Sequence, residues 1–107
     1  MNFFGVDMPQ ERKIQIMDYL DRNGCQPSQK GYQYLVGLIS LLADNPSLNC
    51  NELLSEYCDS VLGKKDKNEA WRVYRACRYT LHTSMGSKTY KPYSFIISGV
   101  MSLGEVI

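Results

Sequence analysis

Residues 31 to 44 read GYQYLVGLISLLAD, and this stretch constrains the fold more than any other. Tyr34, Leu35, Val36, Leu38, Ile39, Leu41 and Leu42 cover most of the circumference of a helix with 3.6 residues per turn. A helix that is apolar almost all round is stable only when other elements enclose it. It is therefore expected as the buried centre of the domain, with Leu35, Leu38, Ile39 and Leu42 out of solvent. Pro46, which has no amide hydrogen to give, prevents its continuation.

The enclosing elements read as further helices. The first runs from about Pro9 to Asn23, with Ile14, Ile16, Met17 and Leu20 as its apolar stripe and Gly24 as its stop. The third starts near Asn49, which forms a capping box with Glu52. Leu53, Leu54, Tyr57, Cys58, Val61 and Leu62 then recur one and four residues apart, and Gly63 ends it. The fourth is capped by Asp66 or Asn68 and reaches His82 or Thr83. The fifth opens at Pro92 and turns Phe95, Ile96, Val100 and Leu103 inward, with Gly99 expected to loosen it. No stretch has the alternation of a strand. The chain thus reads as all-α, a single domain over residues 1–107 with about five helices.

A hydrophobic fraction of 44% supplies one core, and a charged fraction of 21% is too low for disorder. No run approaches the roughly 18 apolar residues that span a bilayer. The start, MNFFGVDMPQERK, has neither a basic nor a long apolar signal-peptide region, so a cytoplasmic protein is expected. Cys25, Cys50, Cys58 and Cys77 form no CxxC pair, and their spacing to His82 fits no zinc pattern. Free thiols and no metal are expected. There is no Gly-rich phosphate loop and no pair of carboxylates at a site-like spacing. No enzyme, no catalytic residue and no cofactor are therefore expected.

The charge is unevenly spread. Lys64, Lys65, Lys67, Arg72, Arg75 and Arg78 face only Asp66 and Glu69 between residues 64 and 78, a local balance of +4 in a chain of net +1, which leaves −3 elsewhere. On a helical wheel Val73, Ala76, Cys77, Thr80 and Leu81 share the inner face of the fourth helix. Arg72, Arg75, Arg78, Trp71, Tyr79 and His82 share the outer arc, with Tyr74 on its border. No acid stands among them on that arc, where a solvated face would mix Glu and Lys in pairs. Large aromatics gain little by facing water, so a partner surface is expected. Arginines on a helix that follows another helix and a polar turn fit a helix-turn-helix that reads duplex DNA. Arg72, Arg75 and Arg78 would contact DNA and Lys64, Lys65 and Lys67 would add charge against its backbone. Tyr74 and Tyr79 would pack on sugar or a thymine methyl.

Four stretches in order carry a family resemblance: IMDYLDRNGCQPSQ, KGYQYL (Lys30 to Leu35), RVYRACR (Arg72 to Arg78) and KPYSFI (Lys91 to Ile96). Together they resemble the C-terminal effector domain of the stage 0 sporulation protein A family. These are response-regulator transcription factors of endospore-forming bacteria. The resemblance implies an all-helical domain whose third and fourth helices form a helix-turn-helix, with promoter DNA as ligand and Arg72, Arg75 and Arg78 as its contacts. Tyr74 stands where the family has Glu, and Tyr79 where it has His. The stretch LGKKDKNEA reads as a longer turn than the family's, the segment before KPYSFI is shorter, and no receiver domain accompanies the motifs.

The resulting expectation is a DNA-binding transcription regulator of a bacterial cytoplasm, associated with the nucleoid when bound to DNA. Its partner is double-stranded DNA, met as a homodimer or with a separate regulatory protein, and no membrane is involved. The competing expectation is a protein–protein interaction module that keeps the helical fold without DNA binding, since Arg, Trp and Tyr also dominate protein interfaces.

Overall fold

The computed structural model of the chain describes residues 2–3, 6–63, 66–85 and 91–103. Helix α1 spans Gln10–Arg22, α2 Lys30–Asp44, α3 Cys50–Tyr57, α4 Lys67–Met85 and α5 Pro92–Ser102. A π-helical turn, Cys58–Leu62, continues α3. The domain is all-α, as the patterning requires. One feature lay beyond it: strands β1 (Asn2–Phe3) and β2 (Val6–Asp7) pair antiparallel, Asn2 with Asp7 and Phe3 with Val6. Two residues a side leave no alternation to read.

Helix α2 packs against every other helix. Leu35, Val36, Leu38 and Ile39 are wholly out of solvent and Leu42 nearly so. Each contributes about 1.5–3 kcal/mol by leaving water, so this one helix supplies a large share of the core. Ile16 and Leu20 bury the inner face of α1. Ile14, expected on the same stripe, is instead 56% exposed. Two residues before Ile16, it sits about 200° round the helix.

The crossing of α2 and α4 is very close. A Cβ on Gly31 would stand 2.2 Å from Thr80 Oγ1 and 2.3 Å from the carbonyl oxygen of Ala76. Near the same crossing Gln29 Nε2 donates to Thr83 Oγ1 at 3.3 Å. Gly99 does not loosen α5. The helix runs through it, and the missing side chain leaves room for the Tyr19 ring and Ile39. Tyr19 in turn donates its hydroxyl to the Phe95 carbonyl at 2.7 Å.

Polar contacts complete the frame. Asn49 Oδ1 accepts from the Glu52 amide at 2.9 Å while Glu52 Oε1 accepts from the Asn49 amide at 2.9 Å, the capping box read from the sequence. Arg12, only 13% exposed, ties α1 to α2 through Asp44 Oδ1 at 2.8 Å and Ser40 Oγ at 3.3 Å. Asp66 Oδ1 accepts from the Asn68 amide at 3.0 Å and so opens α4. Gly63, at φ 69°, closes the π-helical turn in the left-handed region that favours glycine. The third helix therefore winds to Leu62 and stops at Gly63, as the sequence pattern indicated. Helical backbone persists to Leu62 and resumes at Lys67, and only residues 63–66 connect the two.

Cys25, Cys58 and Cys77 are buried, Cys50 is half-buried, and all four are free thiols. Burial pushes each of them above the usual thiol range. Alkylation of the folded protein at neutral pH is accordingly expected to be slow and to reach Cys50 first, the others reacting only after denaturation. Labelling followed by mass spectrometry checks this, and Cys77 reacting as fast as Cys50 would contradict it. The sign of the pH effect follows. The folded state keeps thiol protons that the unfolded chain releases above about pH 8.5, so stability should fall as pH rises past that value.

Candidate nucleic-acid interface

The surface in question is built by α4 with help from α3. Val73, Cys77, Thr80 and Leu81 anchor α4 in the core. Their spacing fixes what points outward. Arg72, Arg75, Arg78 and His82 are exposed, Trp71 is 56% exposed and Tyr79 63%. Lys67 is exposed at the first turn. Every described residue expected at the site thus lies on one helix, while Lys64 and Lys65 fall outside the described residues.

The arginines are not equivalent. Arg75 and Arg78 make no ion pair among the described residues. Arg72 Nη1 lies 3.3 Å from Glu69 Oε1, one turn earlier, and the Glu69 side chain is only 12% exposed. This corrects the reading of the arc as free of acids, because residues three apart share a helix face. The pair is exposed on the arginine side and worth less than about 1 kcal/mol, so phosphate can outcompete it.

Tyr74 is half-buried and not a free surface group. Its ring stacks on Trp71 with centroids 5.7 Å apart and planes at 18°. The two rings form one wall of a groove of about 890 Å³ between α3 and α4. Leu54 and Ala70 floor it, and Asn51 and Ser55 line the α3 side. The sequence reading missed this α3 contribution. Cys50, Asn51, Leu54, Ser55 and Cys58 recur at helical spacing, but three of them pass for ordinary polar or small residues.

The acids of α3 and the turn after it are Glu52, Glu56 and Asp59, and no cation accompanies them. On the wheel of α3 they lie beyond Ser55, away from the groove floor. The α3–α4 surface is thus divided: an acidic flank on α3, an apolar floor, and an α4 flank where Lys67, Arg78 and Arg75 outweigh Asp66, which also lines the groove. Among the described residues no cluster of His, Cys, Asp and Glu is arranged to hold a metal, and no helix is long and apolar enough to cross a membrane. Comparison with protein-family models, with curated proteins and with solved structures finds no match for this chain.

Proposed function

We propose that the chain is a sequence-specific DNA-binding transcription regulator, related to sporulation initiation factors, in which α3 and α4 act as a helix-turn-helix. The observation that carries the reading is the outer arc of α4. Arg75 and Arg78 stand exposed there without ion pairs among the described residues, beside exposed Trp71 and Tyr79. A helix of 10–12 Å diameter matches the roughly 12 Å width of a major groove. The four-residue connection with Gly63 after α3 suits a helix-turn-helix. The acids of α3 lie on its far flank, which leaves Asn51 and Ser55 nearer to a duplex laid against α4.

In this reading Arg75 and Arg78 hold phosphates, and Arg72 reaches a base edge, positioned by Glu69. Arg72→Ala is expected to cost about 1–3 kcal/mol on the preferred site and to relax preference at one base pair. Arg78→Ala should weaken all duplexes alike and reduce the salt slope by about one. Mobility shifts at low salt with and without competitor DNA test the proposal. No shift with any duplex would refute it.

One observation favours the second reading, a protein interaction module. The apolar groove beside Trp71 is larger than phosphate contact requires, and Trp with Arg is a common pairing at the centre of protein interfaces.

A further inference from the structure

We propose that the α3–α4 groove is a self-association surface, occupied by the same groove of a second copy of this chain. Charge is divided across the groove. The α3 flank carries Glu52, Glu56 and Asp59 without a cation. On the α4 side Lys67 and Asp66 line the groove and Arg75 and Arg78 stand outside its lining on the same helix, so that flank is basic on balance. Between them lie Leu54, Ala70, Trp71 and Tyr74.

A patch that is acidic on one side, apolar in the middle and basic on the other is complementary to itself. A two-fold axis through the middle lays the acidic flank of each copy on the basic flank of the other. It also sets Trp71 of each copy over the apolar floor of its partner. Trp71 is more than half exposed, and its stacking on Tyr74 holds the ring out as a rigid plate. A large aromatic presented beside an apolar hollow, ringed by charges of matching pattern, has the anatomy of an interface centre and rim. A heterologous helix would need to carry both charge signs on opposite flanks to fit equally well. The second copy has them by construction.

The inference rests on the interaction-module reading and competes with DNA for the same face. Lys67, Arg75 and Arg78 cannot hold a second copy's carboxylates and phosphates at once, and DNA is left out of its test. Sedimentation equilibrium of the full chain over a wide concentration range should show a reversible dimer. Trp71→Ala should reduce it to monomer without altering the helical circular dichroism signal. Arg78→Glu and Glu56→Arg should each weaken dimerisation about tenfold or more, by placing like charges opposite each other. The double variant E56R/R78E should recover the wild-type association, because the swap restores both contacts. The three side chains concerned, Glu56, Trp71 and Arg78, are exposed, so folding survives the changes. A wild-type chain that stays monomeric at every concentration would overturn the proposal. So would a dimer indifferent to Trp71→Ala, or single charge variants that the double swap fails to rescue.

Discussion

Gly31→Ala is expected to destabilise the domain by about 3 kcal/mol, although alanine is the better helix former by about 1 kcal/mol. The sign is decided by packing. The added Cβ would meet Ala76 O at 2.3 Å and Thr80 Oγ1 at 2.2 Å. The hydroxyl belongs to a side chain that can be shortened. The carbonyl belongs to the backbone of α4 and cannot rotate away, so α2 and α4 must separate. That separation loosens the packing of Val36, Leu38 and Ile39, which α2 carries into the core. Urea denaturation of the two proteins checks the prediction. Thr80→Ala in the Gly31→Ala background should recover part of the loss and not all of it, because only the hydroxyl contact is removed. An alanine variant as stable as the wild type would mean that the helices do not approach this closely.

The second large effect concerns binding. Replacing Arg72, Arg75 and Arg78 together by Ala should lower duplex affinity about a hundredfold or more at low salt, and flatten its salt dependence by about two counterions, one for each phosphate-holding arginine. The fold should barely respond. The three side chains are exposed, and surface changes of this kind cost about 0.5 kcal/mol or less each. Of the three, Arg72 is the one whose loss should cost some stability, because it leaves the Glu69 carboxylate, only 12% exposed, without its ion pair. Fluorescence anisotropy on a labelled duplex, with a thermal melt beside it, separates lost binding from lost structure. Unchanged affinity would remove α4 as the reader and leave the interaction-module reading in its place.

The core was legible because α2 is apolar on nearly every face, and only burial at the centre satisfies such a helix. Caps were legible where a side chain closes its own turn, as Asn49 does with Glu52. The outer arc of α4 followed from counting 100° per residue. Other features depend on distance in space. Nothing local to Gly31 announces that Ala76 and Thr80 will lie against it. Arg12 looks like any surface cation until Asp44 and Ser40 are brought to it from 32 and 28 residues away. The groove needed two helices placed side by side, and neither helix face alone suggests it. The end of the third helix at Gly63 was legible, but its π-helical winding over Cys58–Leu62 was not, because five residues are too few to tell that winding from an α-helix by periodicity.

The central claim is that the α4 arc meets the phosphates of a duplex, and the dependence of binding on salt tests it most directly. With Lys67, Arg75 and Arg78 each neutralising one phosphate, a plot of log K against log salt for a random duplex should be linear with a slope of about −3. A slope near zero, or no binding to any duplex at low salt, would contradict it.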